Sequence, residues 1–336
     1  MKKNNKLNFI IIALLTAVVL YFTLKDNFNQ KINYLLSFNP WWLILAFLMI
    51  LTYWFLKGLV LYFCVNRLDK KYTVKEGFHL MITTQFFHII TPFAAGGQPW
   101  QIYKLKKEGL SLGQSTNVVI QDFIVYQIAL VLIGIVSILS NQIMHIFPSD
   151  SFLKYLVMVG FAFNFIVIIV LFFVAFSTKG NKLIIDGCLK LLLKLKILKD
   201  KEKILKKSEE FINNFHESAI VLMKSKFNFI RIILLNFIAL IILYLIPFVL
   251  IKGLNLYLNP YITIVTSAYV MMIGSMVPIP GGTGGLEYSF LAFFGYFIKE
   301  PKLSCIMIVW RIVTYYFGVV VGALDLNFYK GGKKWE

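Results

Sequence analysis

Apolar runs of about twenty residues recur along the chain, and each is long enough to cross roughly 30 Å of hydrocarbon as a helix. On this pattern, full spans fall at 7–24, 40–62, 115–139, 152–177, 229–251 and 303–328. Two further apolar segments, 77–98 and 261–298, are interrupted by proline and glycine. The expected fold class is an all-α polytopic integral membrane protein with about eight hydrophobic segments: about six full spans and two broken ones. The first run follows "MKKNNK" as a signal peptide would. It is long for one and no A-x-A site follows it, so a retained anchor is expected.

Composition fits this reading. The 336 residues are 59% hydrophobic and include 32 Phe, whereas soluble domains average about 45–50% apolar residues. The net charge of +18 invites a nucleic-acid reading until its placement is considered. If both broken segments dip in and return to their own side, all but seven of the 34 Lys and Arg lie on the N-terminal side of the membrane. Lys25, Lys31, Lys154, Lys252, Lys299 and Lys302 fall opposite, and Arg311 lies within a span. The positive-inside rule then puts both termini in the cytoplasm of a multi-pass cell-membrane protein. The charge is mostly topology, and no nucleic-acid partner is expected.

Segment Lys182–Lys226 contains "LKLLLKLKILKDKEKILKK", too charged to span. It predicts either helices lying on anionic lipids of the cytoplasmic leaflet or a solvated helical linker. Cys64, Cys188 and Cys305 are scattered, and His79, His88, His145 and His216 form no ligand cluster. With no GxxxxGK[ST] motif either, no disulfide, metal or cofactor is expected.

The two broken segments match each other. "TPFAAGGQPW" (Thr91–Trp100) and "IPGGTGGLEY" (Ile279–Tyr288) both read Pro-x-x-x-Gly-Gly, through Pro92, Gly96 and Gly97 and through Pro280, Gly284 and Gly285. Downstream, "QDFIVY" (Gln121–Tyr126) aligns with "WRIVTY" (Trp310–Tyr315) at almost the same offset. The chain thus reads as one transmembrane domain, 1–336, built from two repeats, 7–139 and 152–328. Each reads span, span, re-entrant hairpin, span, in opposite orientation, and the second carries a cytoplasmic insertion, 178–228. Irregular backbone at membrane depth is tolerated only where it is buried or lines a wet cavity. Paired breaks in inverted halves point to a transporter's binding site; the alternative is that the glycines merely permit close helix packing.

Few ionisable groups lie inside spans. Asp122 and Arg311 occupy corresponding positions of the two repeats with opposite sign. Each costs about 2.5–3.5 kcal/mol at a helix centre on insertion scales. They read either as an ion pair between the halves or as a head-group site, since a guanidinium fork matches phosphate oxygens. Glu287 opens the helix after the second glycine run, as a helix-start carboxylate or as a proton or cation site. The bare amides around Gly281, Gly282, Gly284 and Gly285 are a further place for an anion. Lys57 is expected to snorkel to the cytoplasmic interface. No Ser/His/Asp or Cys/His constellation can be assembled.

"GGQPWQIYKLKKEGLS" (Gly96–Ser111), "PIPGGTGGLE" (Pro278–Glu287) and "WRIVTYYFGVVVG" (Trp310–Gly322) resemble the transmembrane, flippase-like domain of lysylphosphatidylglycerol synthase, the multiple peptide resistance factor. The resemblance covers nearly the whole chain. It implies a membrane domain that translocates lipid; in that synthase the cargo is aminoacylated phosphatidylglycerol. Family members usually show Gly-Gly-Glu-Pro-x-Arg in the first motif. Here Gln98 and Gln101 replace both the acid and the base, while Glu287 and Arg311 are kept. The synthase also carries a soluble domain that takes lysine from tRNA, for which this sequence leaves no room.

The expected function is therefore that of a lipid flippase or transporter for a phosphate-bearing lipid. Its head-group site would comprise Arg311, Glu287 and Asp122, with Gln98, Gln101 and the glycines Gly96, Gly97, Gly281, Gly282, Gly284 and Gly285. The rivals are a lysyltransferase-type enzyme acting on phosphatidylglycerol and a membrane partner of a separate lipid-modifying enzyme. The partners expected are membrane phospholipid and anionic lipids of the cytoplasmic leaflet. A homo-oligomer is left open.

Overall fold

The computed structural model describes residues 28–68, 71–91, 95–148, 152–176 and 226–328. The expected span 7–24 and nearly all of the insertion 178–228 lie outside the described residues, together with Cys188 and His216. Everything regular within the described residues is helical.

A short helix α1 (Phe28–Leu36) precedes the long α2 (Pro40–Asn66). Asn39 starts α2 by accepting from the Trp41 amide, with Pro40 at the first helical position, where its missing N–H costs nothing. The first broken segment is a pair of helices, α3 (Val74–Ile89) and α4 (Gly97–Lys107). Thr73 and Glu76 form a reciprocal capping box at the start of α3, and Ser111 and Gln114 form another at the start of α5 (Leu112–Met144). Helices α6 (Phe152–Phe176) and α7 (Lys226–Gly253) follow. The second broken segment contains α8 (Pro260–Gly274), a 3₁₀ turn at Pro280–Gly282 and α9 (Gly285–Phe294). The last apolar stretch is α10 (Lys302–Arg311), a π-helical turn (Ile312–Tyr316) and α11 (Phe317–Phe328).

Among the described residues, five continuous helical stretches are long and apolar enough to cross a membrane: α2, α5, α6, α7 and α10–α11 taken together. They coincide with five of the six expected spans. The protein is a polytopic membrane protein of the all-α class. The helices of the broken segments are shorter: 16 and 11 residues for α3 and α4, 15 and 10 for α8 and α9. At 1.5 Å per residue even the longest covers about 24 Å, short of the hydrocarbon thickness. None of the four crosses alone. In both segments the second helix starts at the second glycine of the pair, Gly97 and Gly285.

Helix α2 packs most extensively on α7, and α3 packs on α2 and α11. Between α2 and α3 the backbones nearly touch: a Cβ at Gly77 would lie 2.5 Å from the Gly58 carbonyl oxygen. Small residues at such crossings are how membrane helices gain van der Waals contact. Helix α3 also reaches the Pro280–Gly282 turn, so the two broken segments are in contact.

Outside the spans, Glu108 ends α4 in a buried position, with Lys104 Nζ 3.5 Å from its Oε1. Burial pushes its carboxyl up to about 7, with Lys104 opposing the shift. A carboxyl raised in the folded state binds more protons there than in the unfolded chain, so stability falls as pH rises towards 7. Glu108→Gln removes that dependence. Its thermal midpoint in detergent should exceed that of the unmodified protein at pH 8 and lose that advantage at pH 5. An equal advantage at both pH values would refute the assignment to Glu108.

Candidate functional site

The breaks open onto a cavity of about 700 Å³ between the helices, lined by both broken segments and by α2, α5, α6, α7 and α10. That volume lies in the range of small-molecule sites. Most of the lining is apolar, and the charged side chains Lys57, Asp122 and Arg311 are among the exceptions.

Arg311 sits at the end of α10, 5% exposed, and lines the cavity. Its Nη2 donates to the Gly281 carbonyl at 3.1 Å. Its Nε lies 2.7 Å from Glu287 Oε1, an ion-pair contact off the hydrogen-bonding angle. The guanidinium also stands 4.3 Å from the centre of the Tyr315 ring, a cation–π contact that supports a charge at low dielectric. The π-helical turn begins one residue later. Such turns are rare and often accompany functional sites.

Glu287 itself lies behind this wall and does not line the cavity. Its Oε2 accepts from the Gly284 amide at 2.7 Å, at the start of α9. Both readings of Glu287 at the helix start thus meet a residue with two engaged oxygens. The neighbouring amides are also taken: Gly282 donates to the Ile279 carbonyl and Thr283 to that of Pro280. The negative group at this helix start is the protein's own carboxylate.

The expected ion pair between Asp122 and Arg311 does not form. Arg311 pairs with Glu287 of α9, and Asp122 Oδ1 lies 2.6 Å from Lys57 Nζ. A match of position along the sequence does not bring two side chains together, and these two each find a nearer partner. The snorkelling expected of Lys57 is also overturned. Lys57 is 4% exposed and donates to Asp122 Oδ1 and, at 2.8 Å, to Asn236 Oδ1 of α7. Helix α2 continues to Asn66. Lys57 is therefore about two and a half turns from its end, too deep to reach the interface. Asp122 and Lys57 both line the cavity.

Among the remaining expected site residues, Gly281, Gly282, Gln98 and Gln101 line the cavity, whereas Gly96, Gly97, Gly284 and Gly285 do not. Gln98 Oε1 is buried without a hydrogen-bond partner. Gln101 is 3% exposed, its amide nitrogen 3.9 Å from Met81 Sδ. Gly281, Gly282 and Gly284 adopt φ of +64°, +63° and +88°, backbone that side chains with a Cβ avoid. Gly96 is right-handed, and what it and Gly97 supply is space. A Cβ on Gly96 would meet Thr91 Cγ2 at 2.5 Å, and one on Gly97 the His88 ring at 2.3 Å.

A cluster of three buried or cavity-lining polar residues is among those that the sequence reading missed, as is Asn236 beside Lys57. Asn164 lies within the apolar run of α6, buried, donating to the Gly160 carbonyl and at 2.9 Å to Ser275 Oγ. Gln127 of α5 donates to Asn164 Oδ1 at 3.4 Å. All three line the cavity. A single amide in a lipid-length apolar helix is the signal that would have found Asn164.

A family model of the lysylphosphatidylglycerol synthase TM region matches residues 9–322. A UPF0104 membrane protein of Archaeoglobus fulgidus is 22% identical over 329 residues, covering 93% of each chain. The family match takes in both glycine breaks, Asp122, Glu287 and Arg311, so the motifs and the cavity they build lie inside it. The chain belongs to the lysylphosphatidylglycerol synthase transmembrane-region family.

Proposed function

We propose that the protein is a flippase or transporter that moves a phosphate-bearing lipid between leaflets, with the head group in the central cavity and Arg311 as its phosphate contact. Aminoacylated phosphatidylglycerol is the cargo the family name suggests. The observation that carries the reading is Arg311, a buried cation in the cavity wall at a helix break, with one hydrogen bond to backbone. With Nε against Glu287 and Nη2 on the Gly281 carbonyl, the Nη1 side of the guanidinium is left to donate a charge-assisted hydrogen bond to a phosphate oxygen. A head group fits the cavity while its tails stay in lipid. The engagement of both Glu287 oxygens weighs against the enzyme alternative, for which Glu287 is the best general base.

Purified protein in vesicles carrying fluorescent phosphatidylglycerol should move the label between leaflets with no co-substrate. Movement no faster than in protein-free vesicles would remove the proposal.

The same reading places the protein in the cell membrane with both termini cytoplasmic and both broken segments re-entrant. Single cysteines at Lys104 or Lys107 should then label from the cytoplasmic face, and those at Lys299 or Lys302 from outside. Labelling of both sets from one side would overturn the inverted arrangement.

A further inference from the structure

Two buried ion pairs among the described residues differ in what holds them. Arg311 and Glu287 are each tied to backbone, one to the Gly281 carbonyl and the other to the Gly284 amide, and Glu287 lies outside the cavity wall. Lys57 and Asp122 both line the cavity, and the hydrogen bonds of the Lys57 ammonium run only to side chains, Asp122 and Asn236. Asn236 is itself held, donating to the Ile232 carbonyl at 3.0 Å. Lys57 can therefore swing on its flexible stem while its receptor stays in place. The site also joins α2 and α5 of one half to α7 of the other, so any relative movement of the halves works on it.

We propose that Lys57 and Asp122 form a proton-exchange site that couples lipid movement to a pH gradient, an inference that rests on the transport reading above. A carboxylate left alone at membrane depth takes a proton rather than remain charged. When a head-group phosphate enters, the Lys57 ammonium turns to it, and Asp122 accepts one proton from the side to which the cavity is open. When the head group leaves on the other side, Lys57 returns and Asp122 releases that proton there. For a lipid whose only charge is its phosphate, one negative charge and one proton cross together, so the step carries no net charge. Nearby are Tyr53 and Cys64 of α2, Tyr126 of α5 and Tyr244 of α7, linked electrostatically to the pair or to one another. His88 and Arg311 line the same cavity. Of these, only Asp122 is a carboxylate, which makes it the proton acceptor.

The test uses phosphatidylcholine vesicles containing the purified protein and a trace of fluorescent phosphatidylglycerol, with leaflet distribution read by quenching from outside. With one proton per lipid, a gradient of one pH unit should concentrate the label about tenfold in the less acidic leaflet. A potassium diffusion potential of either sign should leave the distribution unchanged. An even distribution under the pH gradient, or a response to potential, overturns the proposal. Movement without either response defeats the coupling alone; no movement at all defeats the transport reading beneath it. Asp122→Asn combined with Lys57→Met removes both charges together and should give an even distribution under the gradient. A skew equal to that of the unmodified protein would overturn the assignment to this pair. Should the double variant move no lipid, Lys57→Arg decides. Its planar fork holds Asp122 more firmly and should slow the build-up of the skew severalfold without changing its final value, and an unchanged rate of build-up would equally overturn the assignment.

Discussion

Replacing Arg311 by alanine should abolish lipid movement and destabilise the protein, because Glu287 is then left buried without its counter-charge. Breaking a buried pair in this way costs about 3–5 kcal/mol. Two further variants separate structure from transport. Arg311→Gln with Glu287→Gln removes both charges, and the new side-chain amide oxygen can still accept from the Gly284 N–H that Glu287 now holds at 2.7 Å. That double variant should recover most of the lost stability and none of the transport. Exchange of the charges, Arg311→Glu with Glu287→Arg, should recover neither. It sets a guanidinium against the positive end of α9 and leaves the Gly284 amide without an acceptor. Thermal midpoints in detergent and label movement in vesicles read the two effects separately. Full transport by the doubly neutral protein would show that Arg311 serves packing, not phosphate.

Much of this arrangement is legible in the sequence. The spans are visible because membrane thickness fixes helix length, and the breaks because proline and glycine in an apolar run have few other uses. The charge partners are not legible. Arg311 and Asp122 match through the repeat, a relation of position in the chain that says nothing of distance in space. The true partner of Arg311 comes from α9, which the chain folds back beside α10. Lys57 is misplaced by a span drawn four residues short: ending it at 62 instead of Asn66 puts a deep residue near the interface. The π-helical turn at Ile312–Tyr316 has no sequence signature at all.

The second large effect belongs to Gly281, where two constraints meet. Its φ of +64° lies in the left-handed region, which costs roughly 1–2 kcal/mol for a residue with a Cβ. A Cβ there would also lie 1.8 Å from Tyr315 Cε2, so the ring must move. Tyr315 is the ring packed on Arg311, and the Gly281 carbonyl is the Arg311 acceptor. Substitution therefore displaces the guanidinium from two sides. Gly281→Ala should slow lipid movement at least tenfold in vesicles, while Gly281→Val should abolish it, a tenfold change being about 1.4 kcal/mol at the transition state. Combining Gly281→Ala with Tyr315→Leu relieves the clash but not the backbone strain, so it should restore folded yield more than rate. Gly284 is the control. Its φ of +88° is left-handed too, but a Cβ there meets nothing within 4 Å. Gly284→Ala thus carries strain without collision, at a position outside the cavity wall. It should keep a larger share of the rate than Gly281→Ala at comparable folded yield. Equal rates for the two would mean that backbone strain alone governs both positions, and that the contact of Tyr315 with Arg311 plays no part in transport.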